Sequence, residues 1–209
     1  MNIVVFGASG ATGSQVIASA LSGGHTVTAF SRTAPKDMPP GASLRIVRGN
    51  VADAAAVADA IAGQDAVIST LGVGKPLRHD QAVIDGVGHV LSAMHASGVR
   101  RFLYLSFTGV KDVRGVPGLI IRPIVGFILR HEIADHVEKE ALIRASDADW
   151  TIVQAPKLTN GPATTTYRSG PAITSAAGFP TISRADVAGF MVAQVTDQRF
   201  VRQVVRVLP

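Results

Sequence analysis

The sequence predicts an α/β fold, a doubly wound parallel sheet in three α/β/α layers, and three observations carry that expectation. Short apolar runs of strand length alternate with longer segments whose apolar residues recur at helical spacing. The runs are apolar on both faces, as strands covered by helices on two sides must be. The first run passes straight into a glycine-rich turn and then into a helix, the opening of a strand–helix–strand unit.

In chain order, Asn2–Phe6 is the first strand. Thr12–Leu21 is the first helix, with Val16, Ile17, Ala20 and Leu21 on one face. His25–Phe30 and Leu44–Val47 are the next two strands, followed by a helix over Ala54–Ile61. Ala66–Ile68 is a fourth strand, and Asp80–Ala96 is a helix long enough to cross the sheet. Phe102–Leu105, Trp150–Val153 and Val204–Leu208 complete the strands. The remaining helices are Ala134–Ala145 and Arg184–Val195, the latter with Ser183 and Asp186 at N-cap spacing. Two segments break the alternation, Val110–Arg130 (Gly, Pro and Ile) and Pro156–Pro180 (Thr, Gly and Pro). Both follow the C-terminal ends of strands, where open α/β sheets bind their ligands. No internal repeat or linker divides the chain, so one domain over residues 1–209 is expected, with 156–182 as a small substrate-side region.

Composition narrows the function. Of 209 residues 47% are hydrophobic and 17% charged, which excludes a disordered chain. With no cysteine, disulfide frameworks, thiolate metal sites and cysteine nucleophiles are excluded. The histidines have no ligand spacing with carboxylates, so no metal site is expected. The most apolar stretch, Val116–Leu129, is interrupted by Pro117, Arg122 and Pro123 and falls short of the roughly 20 residues a membrane span needs. No basic leader precedes the first apolar run, and the expectation is a soluble, cytoplasmic protein. The chain is basic, with net charge +5 and a pI near 10.1. Its arginines are scattered and not interleaved with aromatics, which argues against nucleic acid and for a small anionic ligand.

The chemistry starts at Gly7-Ala8-Ser9-Gly10-Ala11-Thr12-Gly13, between the first strand and the first helix. Gly7 allows the tight turn, Gly10 lets backbone approach a pyrophosphate, and Gly13 allows close packing of helix on sheet. The helix N-terminus then offers free N–H groups and the positive end of its dipole. Gly7, Ser9, Gly10, Ala11, Thr12 and Gly13 are therefore the candidate phosphate-binding residues of a Rossmann-type dinucleotide site. After the second strand, Ser31-Arg32-Thr33 stands where NAD-selective folds place an acidic residue against the ribose. A guanidinium there suits a 2′-phosphate, so NADP(H) is expected over NAD(H). Asp37, beyond a proline, is a poor substitute for the missing acid. An ordinary solvated role for Arg32 stays open.

With these motifs the chain resembles the atypical short-chain dehydrogenase/reductases, in the NAD(P)-binding group that includes NmrA-like proteins and biliverdin reductase B/flavin reductase. The likeness also rests on Gly49-Asn50-Val51-Ala52-Asp53, Ser69-Thr70-Leu71-Gly72, Tyr104-Leu105-Ser106, Asp149-Trp150-Thr151-Ile152-Val153 leading to Pro156, and Ile182-Ser183-Arg184-Ala185-Asp186-Val187-Ala188. The resemblance implies that Asn50 and Val51 border the adenine, and that Thr70, Leu71 and Gly72 lie near the ribose and pyrophosphate. It places Ser106 beside the nicotinamide, with Pro156, Lys157 and Leu158 closing over it. Standard members use a Tyr-x-x-x-Lys pair, and neither Tyr104 nor Tyr167 has a lysine four residues on.

Two candidates could handle the proton that hydride transfer leaves to be supplied. Ser106 could polarise an oxygen through a hydrogen bond, or merely hold a carboxamide. His136, near where the missing tyrosine would fall, could titrate near neutrality as a general acid, oriented by Glu140 one helical turn on. A packing role stays open for it, and Lys139 reads as a solvated charge. Without a side-chain acid, the site would still suit flavins or quinones, which accept hydride readily. The apolar segment with Val116, Leu119, Ile120, Ile121, Ile124, Phe127 and Ile128 would then cover a flat, conjugated substrate or form a dimer surface, so monomer and homodimer both stand. The leading expectation is an NADPH-dependent oxidoreductase acting on an aromatic or conjugated small molecule. A non-catalytic NADP(H) sensor of NmrA-like type is the alternative, and a sugar-nucleotide or isoprenoid-type epimerase or dehydratase is a third.

Overall fold

The computed structural model describes residues 1–34, 42–72, 80–108, 130–175 and 180–209. Side chains of the fourth helix are described from residue 133 on. The apolar segment 116–129 and Asp37 lie outside the described residues.

Ten strands and five helices occur among the described residues: β1 (Asn2–Phe6), α1 (Ala11–Ser22), β2 (Thr26–Ser31), β3 (Leu44–Arg48), α2 (Ala54–Ile61), β4 (Ala66–Ser69), α3 (Gln81–Ser97), β5 (Arg101–Phe107), α4 (Arg130–Ala145), β6 (Asp149–Ala155), β7 (Lys157–Thr159), β8 (Arg168–Gly170), β9 (Thr181–Ser183), α5 (Arg184–Ala193) and β10 (Gln203–Leu208). The main sheet runs β3-β2-β1-β4-β5-β6-β10-β8. Every pairing in it is parallel except β8 against β10. The order of strand addition switches sides between β1 and β4, which opens a crevice at their C-terminal ends.

Pleating splits β1 between two cores. Ile3 and Val5 pack with Val16 and Ile17 of α1 and Val187 and Met191 of α5. Val4 and Phe6 pack on the opposite face with Val57 and Ile61 of α2, Val87 and Val90 of α3, and Ile143 of α4. Both faces are thus buried, the physical reason the sheet strands read as continuous apolar runs. At the start of β5 the guanidinium of Arg101 donates from Nε (3.0 Å) and Nη2 (2.6 Å) to the Gln194 carbonyl that ends α5, and from Nη1 to the Asp149 carbonyl (2.6 Å). A buried cation is tolerated there because it satisfies carbonyls that the helix end leaves open.

The segment expected to be irregular, Pro156–Pro180, contains order that periodicity could not show. Lys157–Thr159 pairs in parallel with Thr181–Ser183, and Arg168–Gly170 covers the edge of β10 antiparallel. Strands of three residues are too short to express an alternation. The fourth helix begins at Arg130, four residues before the expected Ala134. The N-cap of α5 is as expected, with the Asp186 N–H donating to Ser183 Oγ at 2.9 Å. Asp186 also receives the Thr164 and Thr165 N–H groups, both at 2.8 Å, and so ties the turn before β8 to this helix.

Candidate functional site

The C-terminal edge of the sheet brings the candidate cofactor residues into one row. Gly7 holds φ +80°, a conformation that strains any residue with a Cβ. A Cβ on it would also stand 2.8 Å from Thr70 Oγ1 and 2.9 Å from Thr70 O. Thr70 in turn donates its N–H and Oγ–H to the Phe6 carbonyl, both at 3.0 Å, clamping the loop after β4 to the turn after β1. The Ala8 N–H reaches the Phe30 carbonyl at 3.3 Å, and the Gly49 N–H reaches the Ser31 carbonyl at 3.1 Å. The loops after β1, β2, β3 and β4 are therefore laced together, with Ser9, Gly10 and Ala11 exposed at the tip and Gly13 buried beneath.

This cradle suits a pyrophosphate. Gly10 is the N-cap of α1 and offers no side-chain acceptor to its N–H groups, and no acidic residue sits in the first turn. The amides of Ala11, Thr12 and Gly13 thus lack a side-chain cap at the positive end of the helix dipole. Arg32 is exposed directly after β2, and no described carboxylate pairs with it. Ser31 Oγ donates to the Thr33 carbonyl at 2.6 Å, a turn that sets the backbone on either side of the guanidinium. Val51 is fixed by α3: a Cβ on Gly86 would stand 2.6 Å from Val51 Cγ2, and His89 Nδ1 lies 2.9 Å from the Val51 carbonyl. Asn50 is exposed, with Oδ1 accepting from the Ala52 N–H at 3.1 Å. Leu71 is half-buried and Gly72 exposed beside it.

Farther along the edge, Ser106 stands opposite Gln154 in the β5–β6 register, so Pro156, Lys157 and Leu158 emerge next to it. Pro156 is buried, Lys157 exposed and Leu158 packed against the α1/α5 core. Below this point lies a polar cluster in an otherwise apolar layer. Ser106 Oγ donates to Glu140 Oε1 at 2.6 Å, Gln154 Nε2 donates to the same oxygen at 3.0 Å, and Arg144 Nη2 donates to Glu140 Oε2 at 2.6 Å. Tyr104 Oη lies 3.0 Å and Ser106 Oγ 3.4 Å from His136 Nδ1. Glu140 and Tyr104 are completely buried, and His136 is 7% exposed.

The electrostatics correct two expectations about His136. Burial, with the nearby charge of Lys139, pushes its pKa down to about 3, so the ring is a neutral imidazole at neutral pH and no ready proton donor. Its described partners are Tyr104 and, at longer range, Ser106 rather than Glu140, whose two oxygens are taken by Ser106, Gln154 and Arg144. Lys139 is fully buried rather than solvated. Burial and the charges of Glu140 and Asp135 push the Tyr104 phenol well above its usual range, so it keeps its proton. Tyr104, Gln154 and Arg144 escaped the sequence reading as site residues. Their signals were a polar Gln inside the apolar β6 run, Tyr104 two residues from Ser106 on one strand face, and Arg144 one turn beyond Glu140.

A neutral, buried His136 makes the fold acid-labile. The unfolded ring binds a proton below a pKa near 6.5 while the folded ring resists it down to about 3. This contribution is complete above the unfolded value and is lost as pH falls through it, at about 1.4 kcal/mol per pH unit. Wild type is expected to lose about 2 kcal/mol more than His136→Gln between pH 7 and pH 5 in denaturant titrations. Equal losses for both proteins would remove the buried neutral ring from the account.

Among the described residues no group of three His, Cys, Asp or Glu could hold a metal ion, and no helix is long and apolar enough to cross a membrane. A protein-family model described as NAD(P)H-binding matches residues 7–198. A 2-alkyl-3-oxoalkanoate reductase of Stenotrophomonas maltophilia is 28% identical over 172 residues, 78% of this chain and 52% of that protein. An uncharacterised Mycobacterium tuberculosis protein is 37% identical over 106 residues, of which the match takes in 51% of this chain and 12% of that longer protein. A short-chain dehydrogenase/reductase of Veillonella parvula, solved in complex with NADP, superposes with a TM-score of 0.78 at 19% identity, covering 99% of this chain and 93% of the other.

Proposed function

The chain belongs to the NAD(P)H-binding family, and from that premise we propose that it is an NADPH-dependent reductase that passes hydride to a conjugated acceptor such as a flavin or quinone. When bound, the reduced nicotinamide supplies the hydride. In this reading the turn from Gly7 to Gly13 grips the pyrophosphate, and Arg32 holds the 2′-phosphate. Asn50 and Val51 border the adenine, and Thr70, Leu71 and Gly72 line the middle of the cofactor. Ser106, with Pro156, Lys157 and Leu158, borders the nicotinamide. Residues 156–182 form the substrate side of one domain.

The observation that carries the choice of acceptor is the cluster on β5 and α4, which offers hydrogen bonds but no ready acid. His136 is neutral, the Ser106 proton is committed to Glu140, and Tyr104 holds its own proton tightly. A simple ketone needs a proton donor as hydride arrives, whereas a quinone or flavin spreads the new charge and can take its proton from water. Kinship with a 2-alkyl-3-oxoalkanoate reductase supports reduction as the reaction class. The same lack of an acid also suits an NADP(H) sensor, the second reading.

Purified protein with NADPH and a panel of flavins, quinones and simple ketones tests the choice, followed by loss of the cofactor's near-ultraviolet absorbance. Turnover with the conjugated acceptors is expected. Tight NADPH binding with no turnover on any acceptor transfers the assignment to the sensor. Arg32→Ala is expected to weaken NADPH by ~1.5–3 kcal/mol, the scale of a hydrogen bond to a charged group, and to leave NADH nearly unchanged. Calorimetry that finds equal losses for both nucleotides overturns the 2′-phosphate role.

A further inference from the structure

We propose that Tyr104 is a positioning residue of this site: by donating its phenolic hydrogen to Nδ1 of His136, it holds the imidazole as the Nε2–H tautomer, which serves as a fixed hydrogen-bond donor to the acceptor being reduced. The inference rests on the reductase reading for its reaction, but the tautomer itself follows from the geometry.

Hydrogen counting within the cluster decides the tautomer. Ser106 sends its hydrogen to Glu140 at 2.6 Å, so it has none to give His136. Tyr104 is completely buried, and its described hydrogen-bonding partner is His136 Nδ1 at 3.0 Å. If Nδ1 carried the ring hydrogen, it would point at Ser106 Oγ or Tyr104 Oη, and the phenolic hydrogen would be buried with no described acceptor. If Nδ1 is bare, it accepts from Tyr104, and the buried phenolic hydrogen has its partner. The ring hydrogen then sits on Nε2, to which no described residue is bonded. The aromatic ring of Tyr104 also lies against the imidazole, with centroids 6.0 Å apart.

This arrangement names what the site can do for an acceptor. Hydride arrival adds two electrons and one hydrogen, and the acceptor oxygen or nitrogen takes up negative charge. Nε2–H can hold that charge through a hydrogen bond without surrendering its proton. Giving the proton away would leave an imidazolate, or a tyrosinate after relay through Nδ1, and Tyr104 is held against ionisation. The proton that completes the product therefore comes from water. The chemical class that tolerates this is an acceptor whose reduced form is a stabilised anion.

The test reads the tautomer directly and needs no turnover. In a proton–nitrogen correlation spectrum of the full-length protein, with His136 assigned by loss of its signals in His136→Gln, Nδ1 is expected as the bare nitrogen and Nε2 as the protonated one throughout the neutral range. Tyr104→Phe is expected to shift the ring toward Nδ1–H, which Ser106 Oγ can then accept. It is also expected to lower kcat with a quinone by about tenfold, the scale of one neutral hydrogen bond, with the KM for NADPH unchanged. A wild-type ring protonated at Nδ1 overturns the proposal even if Tyr104→Phe fails to fold. An unchanged ring pattern or an unchanged kcat in folded Tyr104→Phe overturns it as well. Absence of turnover from wild type beside the expected tautomer overturns the reductase reading and, with it, the catalytic use of the donor, while the Tyr104–His136 assignment is retained.

Discussion

Gly13→Ala is expected to reduce NADPH affinity by roughly a hundredfold or more and to cost the fold about 3 kcal/mol, the upper end of the usual range for core overpacking. A Cβ at this position would intrude on the Gly7 carbonyl oxygen and stand 2.9 Å from the Gly7 carbonyl carbon and 3.0 Å from Ala8 Cα. All three neighbours are backbone, so no rotamer change relieves the contact. Either α1 backs away from β1 or the turn at Gly7, already at φ +80°, opens. Both outcomes displace the amides that would hold a pyrophosphate in the proposed site. Gly10→Ala is the control, because a Cβ there meets only the Gly7 carbonyl oxygen at 3.2 Å. It should cost about 1 kcal/mol, the typical loss of a favourable N-cap residue, and weaken binding only by crowding the phosphates. Calorimetric titration together with thermal unfolding checks both variants. Gly13→Ala binding NADPH as wild type does would remove the close packing of turn and helix as the basis of the site.

Glu140→Ala is expected to destabilise the protein by about 3 kcal/mol, at the lower end for breaking a buried ion pair. The carboxylate is fully buried and accepts from Ser106, Gln154 and Arg144. Its removal leaves the buried Ser106 hydroxyl and Gln154 amide without their acceptor, each of which carries a desolvation cost. The Arg144 side chain is 30% exposed and can turn toward water, which keeps the loss from being larger. Urea titration should show a lower midpoint with an unchanged slope. A variant as stable as wild type would mean that the cluster contributes nothing to holding β5, β6 and α4 together.

These two sites differ in how far the sequence announced them. The turn from Gly7 to Gly13 was legible because its physics is local: a strand, three glycines at fixed spacing and a helix start lie within adjacent residues. The sheet strands and helices of the two-layered core were legible for the same reason, since period and length are properties of short windows. The short strands β7, β8 and β9 were not, because three residues carry no period and owe their pairing to partners elsewhere in the chain.

The cluster around Glu140 was only half legible. Ser106, His136 and Glu140 could be picked out as residue types able to move or hold a proton. Which of them bond to one another depends on contacts across 34 residues for Ser106–Glu140 and 32 for Tyr104–His136. The pKa of His136 depends on burial, which no residue carries by itself. The sequence alone determined that the chain forms a doubly wound sheet with a glycine turn at its first strand, because backbone preference and hydrophobic period act over a few residues. Only the tertiary structure decided that His136 is neutral and bonded to Tyr104 while Glu140 takes Ser106, because desolvation and hydrogen-bond pairing arise when α4 closes over β5 and β6.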